Sequence, residues 1–183
     1  MPTIIISGQP GAGNSTTAKL LAKKLGLKHW SAGEYTKQFG KSVKETERAV
    51  EAWKGAAATK EYHVGLDEKV AEVAKQGNVV IDGKLAIHFA KKYADFTIWL
   101  KCPTAVRAQR VAQRDKISIV EAGKVLIEKE SLERLNWQKM YGFDPFEQAG
   151  QADLVIDTSS APPEKIVEKI LETLKKNRIV KRK

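Results

Sequence analysis

The sequence has little of what marks several classes of protein. Its single cysteine, Cys102, has no partner for a disulfide within the chain, so we expect a buried thiol in a protein of the reducing cytoplasm. The N-terminus is apolar only from Ile4 to Ile6, which predicts neither a signal peptide nor a membrane span. The three histidines are scattered along the chain, which argues against a metal cluster. A length of 183 residues predicts one soluble domain, expected as a monomer.

The net charge of +10 is concentrated at one end of the chain. The last stretch, residues 175–183, reads KKNRIVKRK and holds six cations and no acid. We therefore predict a single domain over residues 1–174 followed by a basic C-terminal tail. Such a tail can contact RNA or another polyanion, but cations are also common where a helix ends, because they complement its dipole.

Short apolar runs alternate with stretches of helical spacing. The runs predict β-strands over residues 3–7, 28–31, 78–82, 96–100 and 153–157. The spacing predicts helices over residues 14–25, 42–57, 62–76, 104–114, 118–141 and 163–177. Strands that alternate with helices in this way predict an α/β fold, in which a five-stranded parallel sheet carries helices on both faces. Ligands of such sheets bind at the carboxyl ends of the strands.

The stretch GQPGAGNST, residues 8–16, directly follows the first predicted strand. Gly8 and Gly13 have the spacing of a phosphate-binding loop, and Ser15 fills the position whose hydroxyl binds Mg²⁺. Glycines let backbone N–H groups point at an anion, and the helix that begins here adds the positive end of its dipole. The predicted phosphate-binding residues are Gly8, Pro10, Gly11, Ala12, Gly13, Asn14, Ser15 and Thr16.

Asn14 departs from the usual pattern of this loop, in which a lysine follows the second glycine. The lysine supplies a charge to the β- and γ-phosphates during transfer, whereas asparagine offers only hydrogen bonds. Loss of such a contact costs roughly 2–4 kcal/mol of transition-state stabilisation. A neighbouring lysine could replace it, and Mg²⁺ with the backbone donors of the loop would remain.

Six stretches, in this order over residues 3–174, resemble the archaeal-type cytidylate kinases, which are P-loop nucleoside monophosphate kinases: GQPGAG, SAGE, GNVVIDGKLA, IWLKCP with VRAQRVAQRD, MYGFD and DLVIDTS. The resemblance implies a three-layer P-loop kinase fold with a short helical lid. It also implies that a phosphoryl group passes from ATP, with Mg²⁺, to CMP or dCMP. The monophosphate-binding region would span residues 31–76 and the lid residues 115–141.

Carried over residue by residue, the resemblance gives roles to polar residues that follow the predicted strands. The monophosphate pocket would comprise Ser31, Gly33, Lys37, Asp67, Asp82 and Gly83. Mg²⁺ would be held by Ser15 and Asp82. The cations that act in catalysis would be Lys84, Arg110, Arg114 and Lys129. At a further lid position, where the family usually has arginine, this chain has Asn136, with Arg134 close by.

The departures from the family's pattern concern charge. Lysine stands at positions 37, 84 and 129, where the family usually has arginine. Lysine keeps the charge but lacks the flat, bidentate fork that suits phosphate, so each exchange is expected to weaken binding rather than abolish it. Asparagine at positions 14 and 136 removes the charge altogether.

Three alternatives to an active cytidylate kinase follow from this pattern. The first is a nucleotide-binding relative that acts as a scaffold or sensor without turnover. The second is a ribonucleoprotein-associated factor that uses the basic tail. The third is a kinase of another small molecule on the same fold.

Overall fold

The computed structural model describes residues 1–39, 41–55 and 59–180. Its described part contains five strands, all parallel, which form one sheet in the order β2-β3-β1-β4-β5. The strands are β1 (Thr3–Gly8), β2 (Lys28–Ser31), β3 (Val79–Asp82), β4 (Phe96–Lys101) and β5 (Leu154–Asp157). The predicted α/β fold with a five-stranded parallel sheet is confirmed. The strand bounds lie within one residue of the predicted ones.

The helices follow the predicted order, with two additions. They are α1 (Asn14–Leu25), α2 (Ala32–Lys37), α3 (Glu45–Lys54), α4 (Lys60–Gln76), α5 (Ala86–Ala90), α6 (Thr104–Asp115), α7 (Ile119–Tyr141) and α8 (Pro163–Lys176). Short 3₁₀ turns cover Lys91–Tyr93 and Ala149–Gln151. The additions are α2 and α5, which are too short for a hydrophobic period to be visible. The helix predicted over residues 42–57 corresponds to α3, and the last two predicted residues, 56 and 57, lie outside the described ones.

Local caps explain where two helices begin. The Ser31 side chain accepts a hydrogen bond from the Glu34 amide at 3.2 Å, so α2 begins as soon as β2 ends. The Thr59 hydroxyl accepts one from the Tyr62 amide at 3.2 Å, and α4 therefore begins at Lys60, two residues before the predicted start. Polar residues near a strand end can thus start a helix that apolar spacing alone does not indicate.

The sheet lies between two layers of helices. Alternate residues of β1 point to opposite faces, so that Ile4 and Ile6 pack with α1 and α8 while Ile5 packs with α4 and α5. On the first face the contacting helix residues are Ala18, Leu21, Ala22, Ile166, Val167, Ile170 and Leu174. On the second face they are Val70, Ala74, Ala86, Ile87 and Ala90. The predicted three-layer architecture is confirmed.

Helix α7 has apolar contacts near each of its ends. Near its start, Ala122 and Leu126 pack on Val111 and Ala112 of α6. Near its end, Trp137 packs on Leu85, which lies between β3 and α5. Within the part of the chain that the structure describes, no helix is long and apolar enough to cross a membrane. Cys102, just after β4, is buried as expected.

Candidate active site

A cavity of about 630 Å³ opens at the carboxyl ends of the central strands. Its walls come from the glycine-rich loop after β1, from α2 and α4, from the β3–α5 connection, and from α6 and α7. Most of the predicted site residues line it: residues 10–16, Gly33, Lys37, Asp67, Asp82, Gly83, Lys84, Arg110, Arg114 and Lys129. Gly8 and Ser31 are not among its lining residues: Gly8 is the last residue of β1, and Ser31 caps α2. The fold thus brings distant parts of the sequence to one opening.

The loop between β1 and α1 depends on glycine at two positions. A Cβ atom on Gly8 would lie 2.3 Å from the Leu100 carbonyl oxygen and 2.5 Å from Asn14 Oδ1, distances that real side chains do not show. Gly13, the residue before α1, has a φ of 95°, which favours glycine. Residues 10–16 therefore present backbone and the start of α1 to the cavity, as an anion-binding loop does.

Asn14 folds back on this loop. Its Nδ2 donates a hydrogen bond to the Gln9 carbonyl oxygen at 3.2 Å. Its Oδ1 atom is buried and has no hydrogen-bond partner among the described residues. A buried acceptor without a partner is costly, so a donor or cation bound beside this oxygen would stabilise it.

The end of β3 is tied to its neighbours in the sheet. The Gly83 carbonyl oxygen accepts a hydrogen bond from Ser7 Oγ at 2.5 Å, and the Gly83 amide donates to Ile6 at 3.2 Å. Asp82 is 6% exposed, and its Oδ2 lies 3.4 Å from Nε2 of His29 on β2. Sequence reasoning gave His29 no role. The sequence alone does not indicate a role for His29, because only the pairing of β2 with β3 brings His29 beside Asp82.

The Lys84 side chain is surrounded by two aromatic rings and an acidic side chain. Its Nζ contacts Glu133 Oε2 on α7 and lies 5.5 Å from the ring centre of Trp137 and 5.1 Å from that of Phe146. Burial lowers the pKa of the Lys84 ammonium to about 8, although the charge of Glu133 acts in the opposite direction. Lys84 is thus a largely desolvated cation at the carboxyl end of β3.

Two arginines of α6 line the cavity from another side. Arg110 donates to the Thr158 carbonyl oxygen at 2.5 Å and to the Ala12 carbonyl oxygen at 3.4 Å. Arg114 donates to Thr46 Oγ1 on α3 and, at 2.9 Å, to Asp115. Burial by itself raises the pKa of the Asp115 carboxyl. Hydrogen bonds from Arg114 and Thr46 outweigh this effect and lower the pKa to about 2.

Arg107, one turn before Arg110, was missed by sequence reasoning. It is 2% exposed and lies behind the glycine-rich loop. Its guanidinium donates to the carbonyl oxygens of Pro10 at 3.0 Å and Cys102 at 2.9 Å and contacts Glu130 on α7. Arg107 therefore joins the loop, the end of β4 and α7. The repeated arginines of VRAQRVAQRD were the available signal, but they do not tell which arginine faces inward.

Asp67 lines the part of the cavity formed by α4. Its Oδ2 accepts a hydrogen bond from the Tyr141 hydroxyl at 2.5 Å. Burial raises the pKa of Asp67 to about 7, and the hydrogen bond from Tyr141 offsets only part of this effect. Burial, together with the bond to Asp67, also raises the pKa of Tyr141. His63, Leu66 and Trp137 line the cavity nearby.

The remaining positions of the predicted lid differ in their surroundings. Lys129 lines the cavity, and its Nζ lies 3.9 Å from Glu133 Oε1. Arg134 faces elsewhere, because it pairs with Asp144 at 2.7 Å and lies 4.9 Å from the ring centre of Phe146. Asn136 is likewise absent from the lining residues of the described cavity. Arg134 therefore does not supply, in this arrangement, the charge that Asn136 lacks.

Comparison with known proteins gives the family. Residues 3–160 match the family described as the cytidylate kinase-like family. The chain belongs to the cytidylate kinase-like family. The predicted resemblance is thereby confirmed, and so is the predicted enzyme class, a kinase.

Relatives in this family cover nearly the whole chain. The cytidylate kinase of Ignicoccus hospitalis is 37% identical over 174 residues, which cover 95% of this chain and 99% of that protein. The cytidylate kinase of Methanocaldococcus jannaschii is 37% identical over 183 residues, covering 94% of this chain and 99% of that protein. The cytidylate kinase of Pyrococcus horikoshii is 38% identical over 165 residues, covering 88% and 82%.

Solved structures extend the likeness of fold beyond this family. A shikimate kinase from Bacteroides thetaiotaomicron has a TM-score of 0.61 and 23% identity, and covers 95% of this chain and 98% of its own. A shikimate kinase from Acinetobacter baumannii has a TM-score of 0.62 and 17% identity, and covers 98% and 96%. At these identities the likeness concerns the fold alone. The cytidylate kinase-like family thus shares its P-loop kinase fold with enzymes of other names.

Proposed function

We propose that this protein transfers the γ-phosphoryl group of ATP, with Mg²⁺, to CMP or dCMP, giving ADP and CDP or dCDP. The observation that carries the proposal is the meeting of the glycine-rich loop with four cations in one cavity, those of Lys84, Arg110, Arg114 and Lys129. The names of the archaeal relatives point to the same substrate. No covalent intermediate on the enzyme is needed, because transfer of a phosphoryl group depends mainly on positioning and on neutralising charge.

The donor side suits ATP and Mg²⁺. Backbone N–H groups of residues 11–16, which include the start of α1, would hold the phosphates. Ser15 and Asp82 would hold Mg²⁺, which prefers oxygen ligands and retains several waters. Asp82 Oδ2 and Asn14 Oδ1, both buried and without hydrogen-bond partners among the described residues, are oxygens of the kind this ion takes. Once bound, Mg²⁺ supplies charge neutralisation at the β- and γ-phosphates.

The acceptor side would be formed by α2 and α4. Lys37 would attract the monophosphate, and the backbone at Gly33 leaves space for it. One oxygen of Asp67 is occupied by Tyr141, and the carboxyl group would accept a hydrogen bond from the amino group of cytosine. An oxygen of the CMP phosphate would attack the γ-phosphorus in line, and the bond from that phosphorus to the β–γ bridging oxygen would break.

The decisive experiment is ADP release from ATP and Mg²⁺ with CMP, dCMP, UMP, AMP and GMP, run on the natural chain and on Asn14→Lys. We expect turnover with CMP and dCMP by the natural chain. A preference for another acceptor would replace cytidylate by that substrate. No turnover by either chain, with folding verified by circular dichroism, would reject the proposal.

Asn14 favours a second candidate function, a nucleotide-binding protein without turnover. Its amide bonds back to Gln9 and carries no charge for the phosphates. This candidate predicts that the natural chain binds ATP and CMP in calorimetry but releases no ADP, whereas Asn14→Lys gains turnover.

The proposal also includes the localisation, the oligomeric state and the basic C-terminal end of the chain. We expect a cytoplasmic monomer, in line with the single cysteine. Of the tail, Lys175 and Lys176 are the last residues of α8, Ile179 and Val180 pack against the core, and residues 181–183 lie outside the described part. Contact of this basic end with RNA stays a prediction.

A further inference from the structure

Glu133 is a buried acid in the cavity where phosphoryl groups are proposed to bind. It lines the cavity and is 3% exposed. Its two carboxylate oxygens face different lysines: Oε2 contacts Lys84 Nζ, and Oε1 lies 3.9 Å from Lys129 Nζ. Neither the resemblance nor the spacing of the sequence had given Glu133 a role.

The segment of α7 that carries Glu133 is held by charge rather than by apolar packing. Between Leu126 and Trp137, a range that the structure describes in full, Glu133 is the only buried residue. Ile127 and Leu135 are more than half exposed there, at 57% and 67%. Its contacts with the rest of the molecule include the ion pairs Glu128–Lys54, Glu130–Arg107, Glu133–Lys84 and Arg134–Asp144. The middle of α7 can therefore shift at a smaller apolar cost than its two ends.

A carboxylate between two lysines resembles a phosphoryl group in its chemistry. Both are anions with oxygens that accept charge-assisted hydrogen bonds from ammonium groups. In the absence of substrate, Glu133 compensates the buried charge of Lys84, which would otherwise be costly. When a phosphoryl group approaches the same lysines, Glu133 and the incoming anion repel each other and compete for the same donors.

We propose that Glu133 is a positioning residue that occupies the phosphoryl-binding place between Lys84 and Lys129 until a substrate phosphoryl group displaces it. Lys84 then passes from the carboxylate to the phosphoryl group, and the middle of α7 is released from its contact with the β3–α5 connection. The identity of the phosphoryl compound rests on the proposed function, whereas the competition itself does not.

The test measures binding of inorganic pyrophosphate to the full chain by isothermal titration calorimetry, with natural protein and Glu133→Gln. Glutamine keeps the size and removes the charge, so we expect the dissociation constant to fall about fivefold or more. Glu133→Asp keeps the charge and should stay close to the natural protein. Glu121→Gln, in the first turn of the same helix and outside this segment, is the matched control and should change the constant less than about twofold.

The sign of the effect separates this proposal from a merely structural ion pair. If Glu133 only braced Lys84, its removal would weaken binding, and an equal or larger dissociation constant for Glu133→Gln would overturn the proposal. In the Lys84→Met background, Glu133→Gln should lose most of its effect, because the contested donor is gone. An undiminished effect there would also overturn it.

Nucleotides give a second readout. Glu133→Gln should tighten the binding of CMP but not of cytidine, because only CMP carries the competing group. In turnover assays KM for CMP should fall without a rise in kcat, as expected when ground state and transition state gain equally. Equal tightening of cytidine would contradict the proposal. If the natural chain shows no turnover, the proposed function fails, while the pyrophosphate result still decides the role of Glu133.

Discussion

Burial shifts the pKa values of two single residues, Lys84 and Asp67, in opposite directions. Burial lowers the pKa of the Lys84 ammonium and raises that of the Asp67 carboxyl, because in both cases it disfavours the charged form. Each has one polar partner on α7, Glu133 for the lysine and Tyr141 for the acid. The two residues therefore make the cavity sensitive to the position of α7.

Asp67 should make the stability of the fold depend on pH. Its pKa is 3.8 when unfolded and about 7 in the folded chain, so its protonation stabilises the fold at low pH, and this contribution is lost as the pH rises through 7. Asp67→Asn should raise the free energy of unfolding by about 2–4 kcal/mol at pH 8 and change it little at pH 4. Urea unfolding at both pH values measures this. A difference of equal size at the two pH values would contradict the assignment, and Glu128→Gln serves as the control.

Arg114 is the cation whose removal tests the site most directly. It lines the cavity from α6, and its side chain is 39% exposed. If Arg114 acts as proposed, Arg114→Ala should lower kcat for CMP phosphorylation by about 100-fold or more, because a charge facing the transferred group would be lost. Arg114→Lys keeps the charge and should lose less. Steady-state kinetics measure both, with far-ultraviolet circular dichroism as the check of folding, and unchanged kinetics in Arg114→Ala would remove it from the site.

The β1–α1 loop is an element whose shape depends on backbone rather than on side chains. Its glycines leave room for the Leu100 carbonyl beside Gly8 and for Arg107 beside Gly11. Arg107 holds the same loop from behind through the Pro10 carbonyl and links it to α7 through Glu130. Movement of α7 and the shape of the loop are thus joined by one buried guanidinium.

A methyl group at Gly8 should disturb this loop. Gly8→Ala would set a Cβ against the Leu100 carbonyl oxygen, which belongs to the inner strand β4 and cannot easily withdraw. We expect a loss of about 1–3 kcal/mol in the free energy of unfolding, with weaker ATP binding, as measured by urea denaturation and calorimetry. Gly65→Ala on α4, where nothing lies within 4 Å of the added Cβ, should instead be neutral or stabilising by up to about 1 kcal/mol. If the two variants behaved alike, close approach at Gly8 would not be the reason for glycine.

At the scale of the whole molecule, the cavity and the basic end of the chain lie far apart. Helix α8, of 14 residues, begins at Pro163, which lines the cavity, and ends at Lys176. A helix of that length is roughly 20 Å long. Helix α1 likewise begins at the loop and has Lys23 and Lys24 in its last turn. The lysines near the ends of these helices therefore lie at the end of the sheet that is opposite to the cavity.

Charge removal at this end should leave catalysis intact. The triple variant Lys175→Gln, Lys176→Gln, Arg178→Gln should keep kcat/KM for CMP within about twofold of the natural protein, because these charges are more than a Debye length from the cavity. Its retention of RNA at low salt, measured by filter binding, should fall if this end contacts RNA. A loss of activity of tenfold or more would show that the basic end acts on the cavity.

Much of the molecule was predictable because it is encoded locally. Apolar runs such as TIIIS and the glycine pattern of residues 8–16 carry their own structural preference, so the strands, the longer helices and the phosphate-binding loop follow from short stretches. The family likewise follows from the order of such stretches. Helices α2 and α5 were not predicted, because segments of six and five residues are too short to show a hydrophobic period.

The tertiary structure alone decided which distant side chains meet. The sheet order β2-β3-β1-β4-β5 brings His29 beside Asp82, and the packing of α7 sets Glu133 against Lys84 and Tyr141 against Asp67. The partners in the last two pairs lie 49 and 74 residues apart in the chain. The physical reason is that such contacts depend on how whole elements pack, and no local preference of either residue encodes its partner.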